Sequence, residues 1–341
     1  MPRIPTSIIR TAYARHRFLP LLLRACRDLQ SAENELRWLR EHLSSVSRQR
    51  SRRQPLGRDA RLKKLCVERS IGTPLQYILE TQPFGDLEIL CKKGVLIPRP
   101  ETDSITHHLA KVLRASCNGD PRLRILDLCS GTGCISLLLH SLLACNFRHL
   151  HVRGIDVSST ALHLAARNVD HNIRLGKLNV RARSDVQFEF GDILSPGQAN
   201  FYTHGWDVVV SNPPYISPQS FLTTTARSVR DYEPRAALVP PATSATSTDQ
   251  RVGDSFYPKL LQIADRVNAR FFLVEVADLA QAVRVVELIS TLGRWKHCEV
   301  WRDWPDVNDG ATEEVSVAGI AVKVYGSGNG RAVFARSFSP D

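Results

Sequence analysis

Short apolar runs alternate with longer amphipathic segments through most of this chain. A continuous apolar run of five or six residues, bounded by polar residues or glycine, is typical of a strand that is buried on both faces of a parallel sheet. The segments between these runs repeat their apolar residues at helical spacing, which predicts connecting helices. The predicted strands are residues 124–129, 151–155, 186–190, 206–210 and 271–276, with 297–301 and 331–335 as an antiparallel closing pair. This alternation predicts an α/β fold with a mostly parallel sheet.

The first part of the chain carries a different pattern. Leucines recur at helical spacing over residues 19–43, and a second helix is predicted at residues 59–69, so this region should form a small helical domain. A β-hairpin is predicted at residues 84–97, because apolar and polar residues alternate before a Lys-Lys-Gly turn. Near the other end of the chain, residues 309–330 are polar and rich in glycine, which predicts a loop.

A tight turn that contains Gly131 and Gly133 directly follows the first predicted strand and leads into an apolar helix. Glycines at such a turn let the backbone approach a ligand closely, and the N-terminus of the next helix offers free N–H groups. The spacing differs from the G-x-G-x-x-G fingerprint, and no lysine follows as it does in a P-loop. The turn therefore predicts a ligand site and disfavours NAD and ATP as the ligand.

Acidic residues stand after the second and third predicted strands. Asp156 has a position suited to holding ribose hydroxyls, although Ser158 and Ser159 after it also fit a helix N-cap. Asp192, or a backbone N–H beside it, could read the edge of an adenine, and a simple turn acid fits its position equally well. Both acids are therefore candidates for the same ligand site as the glycine turn.

The fourth predicted strand ends in Ser211-Asn212-Pro213-Pro214-Tyr215. Two consecutive prolines fix φ and donate no N–H, so the chain should leave the strand stiff and extended. Ligands of open α/β sheets bind at this carboxyl end. The Asn212 amide oxygen and a neighbouring carbonyl could accept both protons of a planar NH2 group, and Tyr215 could stack on its face. Taken alone, the stretch could equally be an ordinary proline-rich loop.

The net charge of +11 is distributed unevenly. Residues 1–70 hold 17 Lys and Arg against 6 Asp and Glu, whereas the remainder holds 28 against 28. The basic character therefore belongs to the N-terminal segment. Such a segment could face nucleic acid, a ribonucleoprotein or an import machinery, or it could be a solvated basic helix.

The first 27 residues contain six arginines and no acidic residue. This composition is typical of a mitochondrial transit peptide, and the long apolar segment of a secretory signal is missing. We therefore interpret residues 1–27 as a mitochondrial presequence and expect the protein in the matrix. If these residues simply begin the first helix, a cytoplasmic location is expected instead.

The eight cysteines are scattered along the chain, without a C-x-x-C pair or a histidine at ligand spacing. This pattern argues against a zinc site and against a disulfide framework, so no metal is predicted. A reducing compartment fits such cysteines best. No apolar run reaches the ~18 residues that a membrane-spanning helix needs.

The strand ends and the segments before them resemble a known family. The acidic residues at two strand ends and Asn-Pro-Pro-Tyr at the fourth resemble a class I S-adenosylmethionine-dependent methyltransferase. The segments at residues 72–78, 84–85 and 96–102 are similar to those of the HemK/PrmC family, which methylates the glutamine of the Gly-Gly-Gln motif in translation release factors. The combination of Ile-Pro-Arg-Pro-Glu-Thr at residues 97–102 with Asn-Pro-Pro-Tyr is specific to that resemblance.

The resemblance implies a doubly wound, mostly parallel and seven-stranded class I methyltransferase sheet, which is Rossmann-like. A small N-terminal helical domain and a β-hairpin linker would precede the sheet. After the presequence, the implied domains are a helical substrate-recognition domain at residues 28–71, the hairpin linker at 72–101 and the methyltransferase domain at 102–341.

The resemblance also assigns roles to individual residues, with S-adenosyl-L-methionine as the cofactor. The loop at residues 129–133 would hold the methionine part, Asp156 the ribose, and Asp192 with Ile193 the adenine. The family usually has glycine where this chain has Cys129. The implied cofactor-binding residues are Asp127, Cys129, Ser130, Gly131, Thr132, Gly133, Asp156, Asp192, Ile193 and Asn212. The implied catalytic residues, which would bind the substrate glutamine, are Asn212, Pro213, Pro214 and Tyr215.

The reaction implied is methyl transfer to the side-chain amide nitrogen, N5, of the Gly-Gly-Gln glutamine in a mitochondrial release factor. The release factor is the expected partner of a monomeric enzyme without stable nucleic-acid binding. One alternative is a methyltransferase of exocyclic amines on RNA or DNA bases, which the zero net charge of residues 71–341 disfavours. Another is a catalytically inactive, ribosome-associated assembly factor, which the intact Gly131, Gly133, Asp156 and Asn212 disfavour.

Overall fold

The computed structural model describes residues 3–49, 57–117, 119–195, 205–242, 248–307 and 313–337. The helices are α1 Thr6–Arg15, α2 Leu19–Cys26, α3 Leu29–Gln49, α4 Arg58–Ser70, α5 Leu75–Leu79, α6 Pro100–Ser116, α7 Cys134–Leu143, α8 Ser159–Arg174, α9 Ala182–Asp185, α10 Pro218–Thr223, α11 Arg227–Tyr232, α12 Asp249–Gly253, α13 Phe256–Arg266 and α14 Leu279–Ser290. The strands are β1 Thr81–Phe84, β2 Leu87–Leu90, β3 Arg122–Leu128, β4 His149–Asp156, β5 Val186–Phe190, β6 Val208–Ser211, β7 Phe271–Glu275, β8 His297–Trp304, β9 Glu313–Val317, β10 Ile320–Tyr325 and β11 Ser327–Arg336. Within the described part, no helix is both long and apolar enough to cross a membrane.

The chain divides into two compact units. The first comprises residues 1–82, 91–93 and 226–233, and the second comprises residues 83–90, 94–225 and 234–341. The first unit is helical, as the spacing of its leucines predicts. The second contains the α/β sheet.

The first unit is held together by one apolar core and a partly buried ion pair. Leu19, Leu22 and Leu23 of α2 lie in this core together with residues of α1, α3 and α4. Arg69 of α4 donates two hydrogen bonds to the Glu35 carboxylate of α3, at 2.8 and 2.9 Å. A bidentate pair of this kind fixes both the distance and the orientation of the two helices.

The predicted helical segment at residues 19–43 is two helices in the structure. Arg27 has a left-handed φ of 70° and ends α2. The Asp28 carboxylate then accepts a hydrogen bond from the Ser31 backbone N–H at 2.8 Å, which satisfies a free donor at the start of α3. A local change of backbone direction at two residues therefore divides a continuous apolar pattern.

Residues 1–27, which composition suggests as a presequence, include α1 and α2. The leucines of α2 point into the core, whereas Arg24 and Arg27 are exposed. An amphipathic helix with outward arginines meets the description of a transit peptide and also that of a packed helix. A cut after residue 27 would remove both helices from the core of the first unit.

The second unit is built on one sheet with the strand order β5-β4-β3-β6-β7-β11-β8-β10-β9. Strands β3 to β7 pair in parallel, and β11 pairs antiparallel with both β7 and β8. The seven predicted strands are all present in this sheet, which confirms the doubly wound, mostly parallel fold. The chain runs from β3 outward to β4 and β5 and then returns to the other side of β3 at β6. Ligands bind at such a reversal of strand order in open α/β sheets.

The continuous apolar run in β6 reflects burial on both faces of the sheet. Val208 and Val210 pack into one cluster with Leu137 of α7, and Val209 packs into the opposite cluster with Leu260 of α13. Successive strand residues point to opposite faces, so both sets of positions must be apolar.

The prediction of a loop at residues 309–330 is wrong for the described part of that segment. Strands β9 and β10 form an antiparallel hairpin that adds to the edge of the sheet. Their turn is Ala318-Gly319, with φ of 51° and 79°. The usual sequence signal for such a turn is Asn-Gly or Asp-Gly, and much of the hairpin is exposed, so its alternation is weak. Residues 309–312 of the prediction lie outside the described residues.

The predicted hairpin at residues 84–97 turns at a different place. Strands β1 and β2 pair with each other, and Gly85 and Asp86 make the turn instead of residues 92–94. Gly85 has a left-handed φ of 55°, and an added Cβ would lie 2.6 Å from the Leu138 side chain. Residues 95–97, predicted as the return strand, are irregular. The alternating pattern therefore predicted β2 correctly, but the strand that pairs with β2 precedes it in the chain and does not follow it.

Candidate active site

The carboxyl ends of adjacent strands bring the predicted site residues to one edge of the sheet. Leu128, the last residue of β3, pairs with Ile155 of β4 on one side and with Ser211 of β6 on the other. Strand β5 continues the series, because its last residue pairs with the last residue of β4. The residues that leave the sheet at this edge are those of the loop at 129–133, Asp156, Asp192 and Asn212.

The glycine loop between β3 and α7 is left-handed at three positions. Cys129, Gly131 and Gly133 have φ of 62°, 55° and 76°. Glycine adopts such angles freely, whereas a residue with a Cβ loses roughly 1–2 kcal/mol there. The Ser130 N–H donates to the Ile155 carbonyl at 3.0 Å, which ties the loop to β4. Cys129 therefore holds under strain a conformation that the glycine usual in the resembled family would hold without it.

Asp156 organises this loop from the end of β4. Its carboxylate accepts hydrogen bonds from the backbone N–H groups of Gly131 and Ser158, both at 2.8 Å. Burial raises the pKa of Asp156, and these hydrogen bonds act in the opposite direction. The N-cap of α8 is Ser158, whose hydroxyl accepts from the Ala161 N–H. Asp156 is thus a carboxylate acceptor at the site and leaves helix capping to Ser158.

Two buried polar atoms beside the loop have no hydrogen-bond partner among the described residues. They are Oδ1 of Asp127 and the Ser130 hydroxyl. The other oxygen of Asp127, Oδ2, accepts a hydrogen bond from the Ser136 hydroxyl at 2.6 Å. Burial raises the pKa of Asp127 to about 7. Buried polar atoms normally have partners. Both atoms therefore fit a polar ligand group at the loop, such as the amino-acid part of S-adenosylmethionine.

Replacing Gly133 by alanine is expected to be more damaging than the same change at Gly131 or Gly176. All three glycines have positive φ, but only at Gly133 would a Cβ clash, 2.6 Å from the Phe188 ring. Backbone strain costs about 1–2 kcal/mol at each position, and overpacking adds about 1–3 kcal/mol at Gly133. Chemical unfolding of the three variants, with cofactor titration by calorimetry, measures the difference. Equal stability and affinity in Gly133→Ala and Gly176→Ala would show that Phe188 does not confine the loop.

Asp192 and Ile193 follow β5 at the same edge of the sheet. The Asp192 carboxylate accepts from the Leu194 N–H at 2.9 Å, which is the contact of a turn acid. Ile193 is buried in the apolar cluster on one face of the sheet. The role of both residues beside an adenine remains a prediction.

Asn212 is oriented by a residue of α6. Its side-chain Nδ2 donates to the Thr102 hydroxyl at 3.3 Å. The residue before it, Ser211, donates its hydroxyl to the Leu128 carbonyl at 2.6 Å and so joins the two strand ends. Pro213 and Pro214 after it are buried. With Nδ2 engaged inside the protein, the amide oxygen of Asn212 is the atom that can accept a hydrogen bond from a substrate.

Tyr215 is anchored away from its own loop. Its ring packs against the apolar cluster that includes Leu260, and Arg331 of β11 lies near its hydroxyl. Arg331 in turn is paired with Asp303 at 2.7 Å. Burial raises the pKa of Tyr215 to about 12. These contacts hold the backbone after Asn212 in place, and the predicted stacking of Tyr215 on a substrate remains a prediction.

Three residues at this edge were not among the predicted site residues, although Thr102 ends the quoted motif at residues 97–102. They are Thr102, which contacts Asn212, Glu275 at the end of β7, and Arg331 behind Tyr215. For Glu275 a signal was available, since it is a single acid within a strand that is otherwise apolar. Thr102 and Arg331 are distant in sequence from the Asn-Pro-Pro-Tyr motif at residues 212–215, and only the fold brings them close to it.

Comparison with known proteins identifies the family of this chain. The family model "Methyltransferase small domain" matches residues 86–231. The mitochondrial MRF1 N(5)-glutamine methyltransferase MTQ1 of Saccharomyces cerevisiae is 39% identical, over 70% of this chain and 68% of its own. The probable MRF1 mitochondrial N(5)-glutamine methyltransferase mtq1 of Schizosaccharomyces pombe is 36% identical, over 80% and 82%. The release factor glutamine methyltransferase of Bacillus subtilis is 31% identical, over 74% and 80%.

These relatives cover most of the chain at identities that establish common descent, and they confirm the resemblance seen in the motifs. The methyl donor of such enzymes is S-adenosylmethionine, which the polar atoms at the glycine loop fit. The chain therefore belongs to the family of release factor N(5)-glutamine methyltransferases.

Proposed function

We propose that this protein methylates N5 of the glutamine in the Gly-Gly-Gln motif of a mitochondrial release factor. The observation that carries the proposal is the orientation of Asn212. Its Nδ2 is bonded to Thr102, and its amide oxygen is left as an acceptor at the sheet edge that holds the glycine loop. Family membership supports the side-chain amide of glutamine as the group that this acceptor would meet.

The chain's own residues would act by positioning and by hydrogen bonding. An amide nitrogen is a poor nucleophile, because its lone pair is delocalised into the carbonyl. The Asn212 amide oxygen and the Pro213 carbonyl would accept the two N–H protons of the substrate amide, which raises electron density on nitrogen and aims it. Bound S-adenosylmethionine supplies an electrophilic methyl group. The prolines have carbonyl acceptors and no N–H donors, so residues 212–215 would present carbonyl oxygens to the substrate amide.

The cofactor would be held by the residues around the glycine loop. We assign the methionine part to the loop at residues 129–133, including Ser130 and Thr132, with Asp127 beneath it. The ribose is assigned to Asp156, whose carboxylate already fixes the loop. The adenine is assigned to Asp192 and Ile193 after β5. These assignments rest on the family resemblance and on the order of the strand ends.

A methyl-transfer assay with labelled S-adenosylmethionine tests the function. The substrates are a mitochondrial release factor, its variant with the Gly-Gly-Gln glutamine changed to alanine, and an oligonucleotide with exocyclic amines. Label is expected in the first substrate alone. Label in the oligonucleotide would identify a nucleic-acid methyltransferase, and no label in any substrate would indicate an inactive assembly factor.

We further propose that the protein works in the mitochondrial matrix as a monomer, without stable binding to nucleic acid. The mitochondrial names of the two yeast relatives and the acid-free, arginine-rich start of this chain support the location. We propose that residues 28–71 help to recognise the release factor, that 72–101 link the domains, and that 102–341 carry the chemistry. Because α2 supplies core leucines, we propose that import leaves α2 in the mature protein.

The location is tested by a fluorescent protein fused after residue 341, combined with N-terminal sequencing of the mature chain. We expect a mitochondrial signal and a mature N-terminus that precedes Leu19, because α2 begins there. A diffuse cytosolic signal would contradict import. A mature N-terminus at residue 28 would contradict the retention of α2 and restore the presequence boundary that composition suggests.

A further inference from the structure

Glu275 is an acid in a place where the fold has no apparent need for one. Strand β7 is buried along its whole length, and Glu275 is 4% exposed. Its Oε1 has no hydrogen-bond partner in the part of the chain that the structure describes. Burying an incompletely bonded carboxyl costs free energy that an apolar residue would not cost. Its position therefore suggests a task in the site.

Glu275 and Asn212 stand side by side. Ser211 of β6 pairs with Val274 of β7, and each of the two residues comes directly after one member of this pair. Thr102 of α6 lies between them. The Thr102 hydroxyl lowers the pKa of the Glu275 carboxyl by hydrogen bonding, and it accepts a hydrogen bond from Nδ2 of Asn212 at 3.3 Å.

A hydroxyl carries one proton, which decides the direction of this chain of hydrogen bonds. An ionised carboxylate can only accept, so Thr102 donates to Glu275. The lone pairs of Thr102 then accept from Asn212, and only the NH2 side of the Asn212 amide can donate. The opposite side of the amide, its oxygen, must consequently face away from Thr102.

We propose that Glu275 is a positioning residue for methyl transfer and acts through Thr102 to hold the Asn212 amide oxygen toward the substrate glutamine. The proposal rests on the function assigned to Asn212 above and adds the group that sets its orientation. Hydrogen bonds in series polarise one another. The carboxylate would therefore also make the Asn212 oxygen a stronger acceptor for the substrate N–H.

The proposal gives the reaction a definite pH dependence. Burial raises the pKa of Glu275 to about 7, so both forms of the carboxyl are accessible near neutral pH. A protonated Glu275 can itself donate to Thr102. The Thr102 hydroxyl can then donate to the Asn212 oxygen, so the Asn212 side-chain amide can rotate by about 180° and exchange its oxygen and NH2 group. The ionised form is the active one, and kcat should fall as the pH drops below about 7. The groups that face Glu275 are Arg99, Glu101 and Thr102 near the start of α6, Cys134 of α7, Tyr215 after β6, Tyr257 of α13 and Arg331 of β11.

The test compares kcat for release-factor methylation between about pH 5.5 and 8.5 in wild type, Glu275→Gln and Thr102→Val. A glutamine at position 275 can donate to Thr102 at every pH, and valine removes the bridge while keeping the shape. Both variants are expected to lower kcat at pH 8 by roughly 10- to 100-fold. With S-adenosylmethionine saturating, both should also lose the part of the acidic limb that Glu275 causes, while the affinity for S-adenosylmethionine stays within a few-fold. Thr102→Ser keeps the hydroxyl and should restore both the rate and the limb.

Thr106→Val is the matched control. Thr106 lies one turn further along α6, is equally buried and donates its hydroxyl to the Thr102 carbonyl at 2.7 Å. This variant removes a buried hydroxyl without touching the chain to Asn212, so its kcat and its pH profile should match the wild type. Thermal unfolding of every variant separates a loss of folding from a loss of rate.

Wild-type kcat and an intact acidic limb in Glu275→Gln or in Thr102→Val would overturn the proposal. If Glu275→Gln does not fold, Thr102→Val decides. If the proposed methyltransferase function itself is wrong, the result is different, because even the wild-type enzyme would leave the release-factor glutamine unmethylated. If wild type methylates it, Asn212→Ala does not, and both bridge variants are unaffected, only the role of Glu275 is lost.

Discussion

Replacing Asn212 by alanine is expected to lower kcat for methyl transfer by about 100-fold or more, while S-adenosylmethionine still binds. The change removes the acceptor that fixes and polarises the substrate amide, and losing one preorganised hydrogen-bonding group at a reacting centre typically costs a factor of 10²–10³. The cofactor loop is held by Asp156 and β4, independently of Asn212. The affinity of the variant for S-adenosylmethionine should therefore change by less than about tenfold, which corresponds to the loss of one hydrogen bond.

Single-turnover kinetics with saturating release factor measures the rate, and calorimetric titration measures cofactor binding in the same preparation. Asn179→Ala is a suitable control, because Asn179 is an exposed asparagine in a turn of the same unit. It should leave both quantities unchanged. Turnover like that of the wild type in Asn212→Ala would show that another group binds the substrate amide.

Removing residues 1–27 is expected to unfold the first unit. Leu19, Leu22 and Leu23 are each at most 1% exposed, and full burial of a leucine contributes about 1.5–3 kcal/mol. Their loss amounts to roughly 5–9 kcal/mol, which is comparable to the ~5–15 kcal/mol that stabilises a typical domain. The Leu36 and Leu39 side chains of α3 would be left facing water.

Urea unfolding followed by circular dichroism, together with limited proteolysis, measures this effect. Deleting only residues 1–5 stops before α1 and should cost little, and Leu22→Ala in the full chain should cost about 2–5 kcal/mol. A chain without residues 1–27 that kept the helical content and protease resistance of the full chain would contradict this packing. The compositional presequence of 27 residues would then stand as a dispensable leader.

The interior of the sheet could be predicted from sequence because its strands are buried on both faces. Runs such as Val208 to Val210 must be apolar at every position, so strand, burial and order in the chain follow together. The site residues followed from the same argument, since Gly131, Asp156 and Asn212 each come directly after such a run. The carboxyl ends of neighbouring parallel strands meet at one edge, whatever the helices between them do.

Partly exposed elements escaped prediction because their pattern is only half apolar. The β9–β10 hairpin buries Val317, Val322 and Val324 and leaves the alternate positions in water. Its Ala-Gly turn lacks the residues that usually mark such a turn. In the N-terminal region, composition predicts a transit peptide, whereas the structure shows a packed helix. Sequence could not decide between them, because arginines on one face and leucines on the other suit both.

The interaction that orients Asn212 also lay beyond sequence reasoning. Thr102 is separated from Asn212 by 110 positions, and hydrogen-bond direction depends on which partner each proton has. Glu275 could have been singled out as an unexpected acid in an apolar strand, but its task depends on the register that sets it beside Asn212. Motifs therefore predicted the groups that would meet the ligands, and the structure was needed to find the groups that contact those residues from behind.

The central claim is that the edge formed by the glycine loop and Asn212 methylates N5 of the Gly-Gly-Gln glutamine. Tandem mass spectrometry of a release factor incubated with the enzyme and S-adenosylmethionine tests it most directly. The account predicts one added methyl group, located on the side-chain amide of that glutamine, and none when Asn212→Ala replaces the wild-type enzyme. A methyl group on any other residue of the release factor, or an unmodified glutamine after prolonged reaction with wild-type enzyme, would contradict it.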